Sequence, residues 1–197
     1  TVLPVAAAAP FASATLLKAA PAESFSFVHF TDSHTQPELR GGDGTGQALR
    51  AIAQTPHDFA LAGGDLVMDV YEQGPARANA LFDLYRGLAK DQPRPVHSIL
   101  GNHDIYGISN KSGVAASDPL YGKKLFEDRM GQPRYQSFDH KGWHFILLDS
   151  VQVGPDKGWF GQIDREQLDW LGRDLNKTGR HTPIVALTHM PLASATG

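Results

Sequence analysis

The chain alternates short apolar runs with polar or glycine-bearing turns, and a helical pattern follows most of the turns. Five runs have the length and composition of strands: residues 25–31, 59–62, 96–100, 143–148 and 184–187. Residues 135–139 precede the fourth run closely and are expected to pair with it as a hairpin. Residues 75–89 read as a helix, because Ala78, Leu81, Phe82, Tyr85 and Leu88 recur at three- and four-residue spacing. A short helix with Leu49, Ile52 and Ala53 on one face, and another near residues 123–129, are weaker patterns of the same kind. The last helix is well marked. Asp164 can cap it, Gln167 can close a capping box, and Leu168, Leu171 and Leu175 form the stripe expected to face the core.

Between these elements, residues 41–46 read as a flexible glycine-rich rim loop; they lack the Gly-Lys-Ser/Thr ending of a phosphate-cradling loop. Residues 105–130 are irregular, and residues 151–163 read as a loop. Alternating strands and helices predict a layered α/β domain. The expected domain covers residues 23–197. Residues 1–22, rich in Ala and with a small-x-small signature at Ala12-Ser13-Ala14, are expected to be the remnant of an export signal or an unordered terminus. That reading places the protein in the periplasm or outside the cell, with the cytoplasm as the alternative.

The polar positions add chemistry to this frame. Asp32, His34, Asp65, Asn102, His103, Asp104 and His189 each stand just past the carboxyl end of an apolar run. In open α/β sheets, ligands bind outside the carboxyl ends of the strands. Four runs therefore deliver Asp, Asn or His to one edge. Carboxylates, an amide oxygen and imidazoles suit Mn²⁺, Fe²⁺, Zn²⁺ or Co²⁺ better than Ca²⁺, and a divalent cation relieves the repulsion of neighbouring carboxylates. Glycines before Asp65 and Asn102 allow the sharp turns and close approach such a centre needs.

Composition changes this picture little. Hydrophobic residues make up 41% of the 197, an ordinary globular share, so wholesale disorder is not expected. The formal net charge is −3, and no block of Lys and Arg forms a nucleic-acid-binding patch. There is no Cys, which excludes disulfides, thiolate metal sites and a cysteine nucleophile. Past the N-terminal stretch no apolar run is long enough to span a bilayer. The oligomeric state is open.

Taken singly, Asp32-Ser33-His34 and Gly64-Asp65 are weak motifs, while Gly101-Asn102-His103-Asp104 after an apolar strand is much more specific. In this order, with Thr188-His189-Met190-Pro191 downstream, they resemble the calcineurin-like metallophosphoesterase family. The nearest branch is the bacterial group that includes cyclic-nucleotide and glycerophosphodiester phosphodiesterases. Residues 135–150 and 158–171, with Gln167-Leu168-Asp169-Trp170-Leu171, also read as that branch. The resemblance spans residues 25–197. It implies an α/β/β/α sandwich of the metallo-dependent phosphatase type. It also implies two divalent metal ions (Mn, Fe, Zn or Co) and a small phosphate-ester substrate.

By the same resemblance, Asp32 and His34 bind the first metal, Asp65 bridges both, and Asn102 and His189 bind the second. Asn102 and His103 contact the phosphate, His103 protonates the leaving oxygen, and Asp104 orients His103. A hydroxide held between the metals hydrolyses the ester, with a phosphodiester favoured. The family's closing Gly-His-x-His motif does not occur in the sequence, and the expectation is that the chain stops short of it. The alternatives are a phosphomonoesterase or nucleotidase of the same fold, and a non-catalytic binding domain with an incomplete metal site. Of the remaining candidates, His29 reads as a core or sheet-face residue and Asp149-Ser150 as a turn cap. Trp159 and Phe160, in a glycine-flanked loop, are candidates for a substrate contact at the rim.

Overall fold

A computed structural model describes residues 23–191. The expected signal remnant at 1–22 and the last six residues lie outside the described part. The elements in chain order are β1 (Phe27–Phe30), α1 (Gly41–Gln54), β2 (Phe59–Ala62), α2 (Pro75–Ala89), β3 (Val96–Ser98), α3 (Lys124–Met130), β4 (Gln136–His140), β5 (Trp143–Leu147), β6 (Val151–Val153), β7 (Trp159–Gly161), α4 (Arg165–Lys177) and β8 (Ile184–Leu187). All five strand-like runs are strands, and the expected β4–β5 hairpin forms.

Two three-stranded sheets result. One is parallel, in the order β1-β2-β3. The other has the order β4-β5-β8, antiparallel between β4 and β5 and parallel between β5 and β8. Strand β2 is buried at every position because it is central and covered on both faces, which is why its sequence is apolar without alternation. Phe59 and Leu61 face the second sheet and join Ile99, Phe145 and Leu147. Ala60 lies under Leu49 and Ile52 of α1, and Ala62 under Leu81 and Phe82 of α2. With α4 on the outer face of the second sheet, the layers run helix, sheet, sheet, helix, as expected. No helix among the described residues is long and apolar enough to cross a membrane.

Three local expectations are corrected. Residues 41–46 are not a rim loop but the first turns of α1. Their small size lets α1 lie directly on α2: a Cβ on Gly46 would stand 3.2 Å from Leu88 Cδ2. Glycine's low helix propensity is overridden by this approach. Residues 151–163 contain the β6–β7 hairpin in place of a plain loop. The third correction concerns α4. Asp164 caps it by accepting from the Gln167 amide at 2.8 Å, but the Gln167 side chain does not close the box. It is fully buried, accepts from Asp149 N at 2.9 Å and donates to Asp149 O at 2.8 Å. Leu168 and Leu175 are 47% and 41% exposed. The helix is turned by about one residue from the leucine stripe, so that Gln167, Leu171 and Asp174 face inward. The surface beneath is polar: Ser137 and His144 both hydrogen-bond Asp174, at 2.9 Å each.

Candidate metal centre

The first sheet sets the site by register. Phe30 pairs with Ala62, and the backbone ladder continues past the strand ends: Asp32 N donates to Gly64 O, His34 N to Asp65 O and Thr35 N to Leu66 O, at 3.0–3.1 Å. Asp32 and His34 are thereby held beside Asp65. The second sheet brings the other half, because β5 and β8 run in parallel to the same edge. Beyond them, the Met190 amide donates to Ser150 Oγ at 2.8 Å and fixes the turn that carries His189.

Backbone strain concentrates here. Asp32, His34, Asp65 and Asp69 have φ of 56°, 40°, 51° and 54°, four of the eight non-glycine residues with positive φ among those described. Such conformations cost roughly 1–3 kcal/mol each and persist where the surroundings dictate them. Two glycines make the crowding possible. A Cβ on Gly101 would lie 2.0 Å from Asp65 Oδ1, and one on Gly64, at φ 97°, would lie 2.8 Å from both Gly101 N and His189 Nδ1.

Asp65 is the hub. Its side chain is nearly inaccessible, and Oδ1 accepts from the His103 amide at 2.9 Å. Around Oδ2 stand His34 Nε2 at 3.5 Å, His189 Nε2 at 3.5 Å and His103 Nε2 at 3.9 Å. Asp32 Oδ1 lies 3.8 Å from His34 Nε2. The ligand atoms form two groups close enough to hold an ion each, His34–Asp65–His103 and Asp32–Asp65–His189, and Asp65 belongs to both. His189 donates through Nδ1 to Gly63 O at 2.9 Å, which leaves Nε2 facing Asp65 and Asn102 Oδ1, the latter 3.1 Å away. Burial would raise the Asp65 carboxyl, but the His189 and His103 imidazoles and the His103 amide hold it below its ordinary value. Burial would lower His189, but Asp65 and the Gly63 carbonyl push it up to about 9. That imidazole must shed its proton to take a cation.

The donor set fits divalent transition ions: carboxylates, imidazoles and one amide oxygen, with imidazole nitrogens 3.5–3.9 Å from carboxylate oxygens, too long for good hydrogen bonds yet short enough for one ion to span. Asp32, His34, Asp65, Asn102, His103 and His189 are all brought together, but the two ligand groups pair His34 with His103 and Asp32 with His189, where the resemblance implies Asp32 with His34.

Asp104 departs from expectation. It is fully buried, and its oxygens accept from the amides of Leu66, Val67 and Gly101 at 2.8–3.2 Å. Burial pushes its carboxyl up to about 7 despite those amides. It braces the Asp65 turn against the Asn102 turn and does not meet the His103 ring. The residue that does is Asp69, whose Oδ1 lies 2.5 Å from His103 Nδ1. Sequence reasoning passed it over. The available signal was a second acidic residue four positions after Asp65, in a turn.

His29 is an exposed sheet-face residue on β1 whose ring lies against Gly63 and belongs to neither ligand group. Asp149 does form the expected turn, accepting from Val151 N at 3.2 Å, but it also binds Lys123 and Arg134.

The fold has a known counterpart. A structure titled as a dimetal phosphatase from Danio rerio superposes with a TM-score of 0.60 at 15% identity, covering 86% of this chain and 70% of that one. A structure of PhoD gives a TM-score of 0.47 at 12% identity, covering 82% of this chain and 40% of the other. No curated protein matches the sequence. The family model of calcineurin-like phosphoesterases matches residues 25–197, nearly the whole chain, and takes in every strand and turn that supplies a ligand. The chain belongs to the calcineurin-like phosphoesterase family.

Proposed function

We propose that this protein hydrolyses phosphate esters with the help of two divalent cations, and that diesters are its preferred class. The observation that carries the reading is the pair of ligand groups that share Asp65. Asp65 would be common to both cations. The groups as they stand set Asp32 with His189 and His34 with His103, but Asp32 Oδ1 also lies 3.8 Å from His34 Nε2 and Asn102 Oδ1 3.1 Å from His189 Nε2. Asp32 and His34 would therefore close on one cation and Asn102 and His189 on the other, as the family resemblance implies. Such a pair supplies Lewis-acid polarisation of phosphoryl oxygens and an activated water for in-line displacement.

The chain's own residues account for the rest. Asn102 is positioned to orient a phosphoryl oxygen. His103 presents Nε2 to the site while Asp69 Oδ1 lies close to its other nitrogen, where a carboxylate would orient the ring of a proton donor to a leaving oxygen. Among the described residues, no Lys or Arg contacts Asp32, His34, Asp65, Asp69, Asn102, His103 or His189. A monoanionic diester needs less positive charge around it than a dianionic monoester, and this supports the diester preference.

The test is metal analysis and turnover of manganese-, iron-, zinc- or cobalt-loaded protein on p-nitrophenyl mono- and diesters. Asp65→Ala should lose bound metal together with activity, while His103→Ala, if His103 acts as the proton donor, should lower turnover about a hundredfold with metal content near normal. A matching loss of metal would make His103 a ligand, as its place in the His34–Asp65–His103 group allows. Wild-type activity in Asp65→Ala would refute the shared-ligand reading. A consistent monoester preference would move the substrate class.

A further inference from the structure

One apolar feature beside the metal centre has no partner among the described residues. The β6–β7 hairpin leaves the carboxyl edge directly after Asp149-Ser150. Its register pairs Val151 with Gly161, Gln152 with Phe160 and Val153 with Trp159. Directly opposed residues of an antiparallel pair share a face, and faces alternate along each strand. Val151, Gly161, Val153 and Trp159 therefore lie on one side, Gln152 and Phe160 on the other.

The first side can be oriented. Val151 is fully buried in the core beneath the site, in the same cluster as Leu66 and Leu100. A Cβ on Gly161 would stand 3.4 Å from Met190 Cβ, the residue after His189. This face thus looks over the His189 turn. Two residues farther out, about 7 Å along the strand, it ends in Val153 and Trp159, which are 37% and 43% exposed. Such exposure of a valine and an indole side by side, on a face whose inner half is core and packs on the His189 turn, makes an apolar wall that extends outward from that turn.

We infer that Trp159, backed by Val153, is a specificity-determining residue that stacks on a planar aromatic leaving group of the phosphate ester. This rests on the phosphoesterase reading above. Indole is the best side chain for such a role: flat, rigid and large. A ring stacked on it while the phosphoryl group lies at the ligand cluster would cover the exposed apolar area of this pair. An aryl ester and a nucleobase offer the same flat face, so the chemistry is shared by two sources.

The test reads binding by calorimetry on the manganese-loaded full chain, with phosphonates that cannot turn over. Phenylphosphonate should bind about tenfold more tightly than methylphosphonate, within the range of ring stacking on an aromatic side chain. That ratio should fall to near one in Trp159→Ala, and survive in Trp159→Phe and in Phe160→Ala, whose ring is on the other side of the hairpin. The non-hydrolysable phosphonate analogues of AMP and of ribose 5-phosphate form the second arm. A preference for the AMP analogue that Trp159→Ala removes assigns the wall to a nucleobase. A preference for phenyl alone assigns it to simple aryl groups. Equal binding of phenyl- and methylphosphonate to the parent, or a ratio that persists in Trp159→Ala, overturns the inference while leaving the phosphoesterase reading intact. Should methylphosphonate itself fail to bind, the phosphoesterase reading falls and takes this one with it.

Discussion

Asp65 and Asp149 make an instructive pair. Both are buried carboxylates, and both stand just past the carboxyl end of a strand in a parallel ladder. Asp149 is saturated. Its carboxylate meets Lys123 Nζ at 2.5 Å, Arg134 Nη1 at 2.8 Å and its own turn at Val151 N, and Gln167 takes both of its backbone groups. Asp65 has one oxygen satisfied by a backbone amide, and the other is ringed by three imidazole nitrogens at 3.5–3.9 Å. The first arrangement is closed and holds the protein together. The second is open at the scale of one small ion, and its neighbours adopt strained backbone conformations. Burial of an acidic residue therefore says nothing by itself about function; what its second oxygen faces decides the matter.

Substituting the closed member should have the larger effect on folding. Asp149→Ala leaves Lys123 and Arg134 largely buried and unpaired with it, and breaking a buried pair costs about 3–5 kcal/mol. Arg134 retains Asp164 at 2.7 Å, which places the expected loss toward the lower end. In a domain of this size a 3 kcal/mol loss lowers Tm by roughly 6–12 °C. The comparison is sharpened by measuring metal stoichiometry on the same variant below its transition. It should match the parent, whereas Asp65→Ala should show the converse, with metal lost and the fold kept. Loss of metal in Asp149→Ala at a temperature where it is folded would mean that the two carboxylates belong to one system.

Asp69→Asn tests the open member's surroundings at smaller amplitude. The Asp69 carboxylate touches His103 but neither ligand group includes it. The expected result is a kcat reduced about 10- to 100-fold, with KM and bound metal unchanged. A comparable fall in metal content would make Asp69 a ligand-supporting group and remove its special tie to His103.

Why Asp69 was not legible in the sequence, while Asp32, Asp65 and His189 were, is physical. Those three follow apolar runs, and a strand in register fixes where its next residues go. Asp69 lies beyond a further turn, in a left-handed conformation that no periodicity announces. Asp104 was misassigned for the opposite reason: its place beside His103 in the chain suggested contact, but the 3₁₀ turn of Asn102–Asp104 sends adjacent side chains in different directions. The glycine-rich segment and α4 were misread because local pattern yielded to packing. α1 needs small residues against α2, and α4 meets a polar sheet face. The α/β class was legible in the alternation of apolar runs and helical patterns, while the order of the layers came from the family resemblance.

The mildest test concerns that polar face. His144, 94% buried, places Nδ1 2.6 Å from Asp139 Oδ1 and Nε2 2.9 Å from Asp174 Oδ2, joining β4, β5 and α4. Burial alone would lower its pKa, yet the two carboxylates prevail and raise it above the ordinary value. A histidine raised in the folded state binds its proton more tightly there than in the unfolded chain. Its contribution is then complete below about pH 6.5, the unfolded value, and fades as pH climbs through the folded one. Stability should decline from pH 6 upward, and His144→Gln should flatten that decline, by about 1 kcal/mol or less. The two partners should not share the effect equally. The Asp139 side chain is 80% exposed and screened by water and salt, while that of Asp174 is 18% exposed. Asp174→Asn should therefore remove most of the pH dependence, and Asp139→Asn little of it, with the remainder insensitive to added salt. Equal effects from the two substitutions would show that the contact to α4 is no stronger than the one to the solvent-facing strand.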